Sequence, residues 1–482
     1  LNTTHLMKNF YLVLTLLLCS FVVQAQSTFT LRIMHNNDGE SMLVADTING
    51  VKVGGAPEFK TVVDSLRAAG TPSLMLSSGD NFLAGVPFSA SLDRAAGLPY
   101  YDAIVIDSIG YDAIAIGNHD FDFGPDVLAK MIGDIEVTMP PYLSANLDFS
   151  QEDSLQALVD NGRIAKRTIL NVDGEQVGVF SLIFPGLTNI SSPRNVEVME
   201  DIEAIAQEQI DSLTAAGVNK IILISHLQSI NTELELIGNL TGLDVVVAGG
   251  GDEYLTNDPN NLLEDDDEIF GPYPLAEEDA NGDTVYVVTT PGNYRFVGNL
   301  IVTFDEAGNV ETIDAQSDLV PVFDRVADPA LQSSVVDSIL AYSEVIANNI
   351  IGFTEPALDG TRQGVRTRET NQGNLVTDGY VYLVERDRAN YDLEDGVPVI
   401  GVQNGGGMRD DRVIPANSDV AEIKTFDVLP FPNNLVIIDY LFNATELDSI
   451  LENSVSAVER TSGRFLQVSG IEFVWDPTQP AG

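Results

Sequence analysis

Apolar, β-rich runs that stop at polar residues set the frame for this chain. TLRIMH (30–35), PSLMLSSGD (72–80), YDAIAIGNHD (111–120), YLSANL (142–147), KIILISH (220–226) and LDVVVAGGG (243–251) each read as a strand leading into a loop. Segments with helical spacing lie between them: 56–69 ending at Gly70, 100–109, and 201–216 ending at Gly217. Glycine in those places suits a helix C-cap. Alternating strands and helices predict an α/β layered domain. Three turn signals, NVDGEQ (171–176), DANGDT (279–284) and FDEAGNV (304–310), add antiparallel hairpins, because Asp-Gly and Asn-Gly favour primed turns.

At 482 residues the chain suits two or three domains, on a prior of about 150 residues each. Residues 326–348 read as one long helix, and the composition changes after it. Seven of the 17 Arg fall between Arg362 and Arg412, among Gly/Asn turns. The expected division is a first domain at 28–325, a linker helix at 326–348 and a second domain at 349–482. The run EDDDE (264–268) reads as a solvated loop.

Charge narrows the function classes. The 72 Asp+Glu against 24 Lys+Arg give a net charge of −48. That excludes a general affinity for nucleic acid polymers or anionic membranes. An anionic substrate would need a local cluster of positive charge. The acidic, Lys-poor composition also suits a salty habitat.

The N-terminus reads as an export signal. Met7-Lys8 is a short basic start, 10–23 is an apolar stretch of 14 residues, and Val23-Gln24-Ala25 is a cleavage site in type. The stretch is short for a membrane anchor, which needs about 20 residues. The only cysteine, Cys19, lies inside it. The expected mature chain starts after Ala25 and has no thiol, no disulfide and no membrane span, in a periplasmic or secreted location.

All three histidines of that mature chain, His35, His119 and His226, follow a predicted strand. Asp38, Asp80, Asn118, Asp122, Asn146 and Asp252 stand in similar places. In open α/β sheets, sites form outside the carboxyl ends of strands. Any one such residue is more often a turn or capping residue. Their concentration points to a carboxylate- and imidazole-rich metal pocket.

HNND (35–38), SSGDNFLAG (77–85), GNHDFDFG (117–124), LSANL (143–147), ILISH (222–226) and DVVVAGGGDE (244–253) together resemble the ordered motifs of the calcineurin-like metallophosphoesterases. Their order is most similar to the bacterial 5′-nucleotidase family, which includes the UDP-sugar hydrolases. RTRETNQGNLVTDG (366–379), VQNGGGMRDD (402–411), VLPFPNNL (428–435) and GRFLQVSGIEFVWD (463–476) resemble that family's C-terminal domain. The resemblance implies a four-layer metallophosphoesterase sandwich followed by a smaller α/β nucleotide-binding domain. It also implies a hydrolase with two divalent metal ions and a nucleotide or related phosphoester as substrate. Asp80 would bridge the metals, Asp38 would serve the first, and Asn118 and His226 the second. His119, oriented by Asp122, would stabilise or protonate the leaving oxygen. Asn146 is carried over as a substrate-side residue. Arg366 and Arg409 match phosphate-holding positions, and Asn404 and Phe431 match positions that contact and stack on the base. Arg362, Arg368, Arg386 and Arg388 read instead as surface charges.

The chain departs from the family at two metal motifs. Asp38-Gly39-Glu40 stands where the family has Asp-x-His. Ala248-Gly249-Gly250-Gly251-Asp252-Glu253 stands where it has Gly-Gly-His-x-His or Gln. Glu40 and Asp252 are therefore expected ligands, with Gly250 opposite a lost imidazole and Glu253 or water as a substitute. An oxygen-rich set favours Mn²⁺, Mg²⁺ or Ca²⁺ over Zn²⁺. The alternatives are a broader phosphatase, phosphodiesterase or nucleotide-sugar hydrolase, and a nucleotide-binding protein with a degenerate metal site. The family's second stacking aromatic and ribose-binding Asp would lie beyond Gly482, so the nucleoside clamp is expected to be incomplete or the sequence truncated.

Overall fold

Alternation along the strands decides how the layers stack. In strand Phe29–Asn36, Leu31 and Ile33 join one apolar cluster and Met34 another. In Ser73–Ser77, Leu74 and Leu76 go with the first and Met75 with the second. Ala113 and Ala115 repeat the pattern against Ile114. Successive side chains point to opposite faces, so a strand apolar on both faces needs cover on both. One face meets a second sheet, carrying Val177, Val179, Ile222, Ile224, Val245 and Val247. The other meets helices Ala56–Arg67, Tyr101–Ile109 and Pro125–Asp134 through Phe59, Val63, Ile106 and Met131.

The computed structural model describes residues 28–476 except 264–266, 392, 394–395, 432 and 439–441, together with residue 478. The expected export signal and most of the acidic run 264–268 lie outside the described residues. The first sheet runs in the order Val310–Ile313, Phe296–Phe304, Phe29–Asn36, Ser73–Ser77, Ala113–Ala115, Tyr142–Leu143, Ile164–Ala165, and Asp318–Pro321 also pairs with Phe296–Phe304. The second runs Leu275–Glu278, Thr284–Val288, Val245–Val247, Ile221–His226, Glu175–Ile183, Arg167–Val172. The central pairs are parallel, and hairpins close the edges at all three turn signals. Asp173 and Gly174 both have positive φ, as a primed two-residue turn requires. Helix Ile202–Ala215 covers the far side of the second sheet, with Leu213 filling the space over Gly178. The layers are thus helix, sheet, sheet, helix.

The expected helix at 326–348 begins later, at Pro329. Asp328 accepts hydrogen bonds from the Ala330 and Leu331 amides at 3.0 and 2.9 Å and caps it, and Pro329 needs no amide partner. The helix continues through a wider turn at Gln332–Val336 to Asn348. It touches helix Val86–Leu92 on one side and Ile423–Val428 on the other. Beyond it, helix Asn371–Arg386 packs on the strand pair Gly401–Asn404 and Leu466–Ser469. Val365, Met408 and Val428 form a small apolar cluster there. Among the described residues, no helix is long and apolar enough to cross a membrane.

His35 corrects a simple reading of histidines at strand ends. It lies within its strand, fully buried, with Nε2 2.7 Å from the Tyr273 hydroxyl. Burial lowers its pKa to about 3, so it is a neutral core residue.

Candidate active site

Four strand ends bring the polar residues together. The loop after Phe29–Asn36 carries Asp38 and Glu40, and that after Ser73–Ser77 carries Asp80. The loop after Ala113–Ala115 carries Asn118 and His119, and Ile221–His226 ends on His226 itself. Asp38, Glu40 and Asp80 hold φ of 49°, 50° and 51°, in the left-handed region that non-glycine residues rarely enter. Such strain persists where surrounding bonds over-determine it. Here the Asp38 amide donates to Gly79 O at 3.0 Å and the Glu40 amide to Asp80 O at 2.9 Å, tying the two loops together. Gly117 permits the closest approach, since a Cβ there would lie 2.1 Å from Asp80 Oδ1.

Asp38, Asp80 and His226 are all buried, and one ligand-type atom from each lies within 4.8 Å of the others. His226 Nδ1 donates to Ser78 O at 2.7 Å. Its Nε2 therefore faces inward, 2.9 Å from both Asp80 Oδ2 and Asn118 Oδ1. Burial alone would lower the His226 pKa, yet Asp80 and Asp38 push it up to about 10. The pocket strongly favours positive charge. Asp38 is fixed by Asn37 Nδ2 at 2.7 Å and the Gly250 amide at 2.9 Å. Burial raises its pKa to about 6. Glu40 is raised to about 7 by burial and by Asp38. This donor set, two carboxylates and a tautomer-fixed imidazole around an amide oxygen, fits divalent cations.

Beside the cluster, His119 Nδ1 donates to Asp122 Oδ2 at 2.7 Å, and its backbone amide donates to Asp80 Oδ1 at 2.8 Å. Ser191 Oγ donates to the other Asp122 oxygen at 2.9 Å. Burial works against a charged His119, but Asp80 and Asp122 raise its pKa to about 9.

The second unit reaches this place. The Phe431 ring lies against the His119 ring, centroids 6.0 Å apart and planes within 9°. The Arg409 guanidinium stands 5.0 Å from the Phe431 centroid, within electrostatic reach of Glu40, Asp122 and Asp252. Arg366 is buried and its Nε has no hydrogen-bond partner. Burial, then Arg362 and Arg409, lower its pKa to about 10. An unpartnered guanidinium beside other cations suits an anion.

Several expected residues are placed differently. Asn146 is fully buried with its amide committed to the backbone: Nδ2 donates to Ile183 O at 2.8 Å and Oδ1 accepts from Ile183 N at 2.9 Å. It ties neighbouring segments together and offers no free group to a substrate. Asp252 is exposed and outside the buried trio. Glu253 accepts from Ile230 N at 3.2 Å at the start of a helix. Asn404 is exposed, with Nδ2 donating to Gly463 O at 3.2 Å. Arg368 pairs with Asp359, Arg386 with Asp387 and Arg388 with Glu385, as surface charges do. Arg362, grouped with them from sequence, is likewise exposed, and its charge also reaches Arg366 and Arg409. Sequence reading also missed Asn37, Ser78, Ser191 and Gln228. Asn37 and Ser78 sit inside quoted motifs, whereas nothing around Ser191 marks it.

The calcineurin-like phosphoesterase family model matches residues 41–250, and that of the 5′-nucleotidase C-terminal domain matches 350–482. The solved 5′-nucleotidase precursor of Thermus thermophilus superimposes with a TM-score of 0.74 at 31% identity, over 94% of this chain and 84% of that one. This chain belongs to the 5′-nucleotidase family. The 5′-nucleotidase of Diplobatis ommata is 29% identical over 478 residues, 97% of this chain and 78% of its own length. The trifunctional nucleotide phosphoesterase protein YfkN of Bacillus subtilis is 28% identical over 472 residues; these cover 92% of this chain, which spans only 29% of that longer protein. Family membership makes this nucleotidase-type chain a hydrolase of the phosphoesterase class, and the family implies divalent metal ions.

Proposed function

We propose that the chain is an exported, metal-dependent enzyme that releases phosphate from nucleoside 5′-monophosphates or related nucleotides. The observation that carries this is the meeting of two unlike sites. The trio Asp38, Asp80 and His226 and the His119–Asp122 pair lie in the first unit. Phe431 and Arg409 of the second unit stand over them. We assign residues 28–325 to the catalytic domain, 326–348 to the linker and 349–482 to the substrate-binding domain. Export rests on the apolar stretch 10–23 after Met7-Lys8.

Asp38, Asp80, Asn118 and His226 would hold the metals, with Glu40 at the edge. When bound, divalent cations polarise the attacking water and neutralise charge on the phosphoryl group. The chain's own groups do the rest. Arg366 and Arg409 bind the phosphate oxygens and offset the field of the −48 chain. Phe431 gives the nucleoside an aromatic face. Asp122, held by Ser191, keeps His119 Nδ1–H turned away and Nε2 towards the leaving oxygen. A water oxygen attacks phosphorus, the bond to the nucleoside oxygen breaks, and the His119 Nε2 proton goes to that departing oxygen; the water's protons leave on the phosphate or pass to His119, which is thereby recharged. The carboxylate donors suit Mn²⁺, Mg²⁺ or Ca²⁺.

The test is phosphate release from AMP and from UDP-glucose by stripped protein reloaded with one metal at a time. Release from AMP supports the nucleotidase reading, and preference for UDP-glucose supports nucleotide-sugar hydrolysis. Nucleotide binding without turnover under any metal would replace both with a binding role. Gly250, which offers no ligand, and Asp252, which is exposed, are the observations on that side.

A further inference from the structure

Position 250 has no side chain, and one placed there would crowd Gln228. Gly250 holds φ +85°, and a Cβ there would lie 2.6 Å from Gln228 Nε2 and 3.0 Å from Gln228 Cα and N. The volume a residue at 250 would use is already filled by Gln228. Gln228 is itself held at φ 71°, in the left-handed region that non-glycine residues rarely enter. That conformation sends its amide into the metal cluster, where Nε2 lies 2.5 Å from Asn118 Oδ1. The same Asn118 oxygen faces His226 Nε2, which faces Asp80 Oδ2, each at 2.9 Å. The amide of Gln228 thus meets the inner end of the Asp80–His226–Asn118 group. Of the two neighbouring carboxylates, Glu253 accepts from the Ile230 amide, and Asp252 is exposed and lies outside the buried trio.

We propose that Gln228 is a ligand of the second cation, standing in for the side chain that position 250 lacks. This rests on the metal-dependent reading above. A half-turn about its terminal torsion exchanges amide nitrogen for oxygen, so Gln228 can donate to Asn118 or present a lone pair beside it. A neutral, hard oxygen added to Asp80, Asn118 and His226 completes a mixed oxygen–nitrogen set and suits Mn²⁺ or Mg²⁺.

The test is Mn²⁺ binding to stripped full-length protein, by titration calorimetry and by the electron spin resonance of bound Mn²⁺. Wild type should bind two ions per chain. Gln228→Ala should weaken one of them at least tenfold and leave the other unchanged. Gln228→Glu keeps the chain length and an oxygen but cannot donate to Asn118, so it should retain both ions. Loss of the second ion in Gln228→Glu as well would overturn the proposal, because the amide N–H would then be acting only to position Asn118. Unchanged two-ion binding in Gln228→Ala would overturn it too. Wild type that binds no divalent cation would instead sink the metal-dependent reading itself. If Gln228→Ala does not fold, judged by circular dichroism, Gln228→Met takes its place: it keeps the length but replaces the hard oxygen with a thioether, so it should weaken the second ion at least tenfold, and unchanged two-ion binding in it would overturn the proposal.

Discussion

The two halves of the molecule solve opposite problems. The first unit buries two large apolar clusters around two stacked sheets and uses that rigidity to crowd carboxylates together. The second gathers guanidinium groups over a small apolar cluster, Val365, Met408 and Val428, with two-stranded sheets among its described residues. It leaves Ile350, Ile351, Phe353 and Val402 exposed. Like charges held within a few ångströms repel, and a stiff scaffold with strained, over-determined loops holds them in place. Arginines that approach an anion from a surface need less support, because their planar forks carry the geometry themselves.

The largest expected effect strikes the first unit. Asp80→Asn should lower turnover more than about 10³-fold, since a neutral amide bridges cations poorly and metal assistance amounts to several kcal/mol. Bound metal should fall with it in elemental analysis. Wild-type kcat in the reloaded variant would remove Asp80 from the metal set. His119→Ala should lower kcat about 10²–10⁴-fold, the scale of general acid–base help. Metal content should hold steady, and its loss would make His119 a ligand.

Stability should divide along the same line. Leu76→Ala opens a cavity between the two sheets and should cost about 2–5 kcal/mol, read as a lower denaturation midpoint. Met408→Ala, in the small cluster, should fall at the low end of that range, about 2 kcal/mol, because loose surroundings collapse more easily. Equal losses would mean that the second unit is packed as tightly as the first. Arg366→Ala should lower kcat/KM about 10–100-fold, the scale of a hydrogen bond to a charged group, without changing bound metal. Arg366→Lys should not fully restore it, because an ammonium lacks the planar fork. The smallest shift belongs to Glu40→His, which should move the metal-activation series towards Zn²⁺ while phosphate release continues. A wild type fully active with Zn²⁺ and indifferent to Mn²⁺, Mg²⁺ and Ca²⁺ would overturn the hard-metal reading.

Much of this was legible in order along the chain. Strand periodicity and the three turn dipeptides predicted an α/β layered domain with antiparallel hairpins, the resemblance implied its four layers, and the polar residues closing each strand put Asp38, Asp80, Asn118, His119 and His226 near one another. A strand's period of two and a helix's of 3.6 are local properties, and the rule that sites gather at carboxyl strand ends converts them into position. Where the reading failed, the deciding contact lay far away in sequence. Asn146 looked like a site residue until its amide was found bonded to Ile183, 37 positions on. His35 looked like its two counterparts until Tyr273 closed over it.

The sequence by itself determined the α/β class, the carboxylate and imidazole chemistry gathered at strand ends and, through its motifs, the family. Those follow from pattern, residue type and motif, which need no partner. Only the tertiary structure decided which polar groups are free. It set Ser191 behind Asp122, turned Glu253 to a helix start, brought Arg362 within electrostatic reach of Arg366 and Arg409, and filled the space at Gly250 with Gln228. A buried polar atom must find a partner, and which partner it finds depends on distances that folding alone establishes.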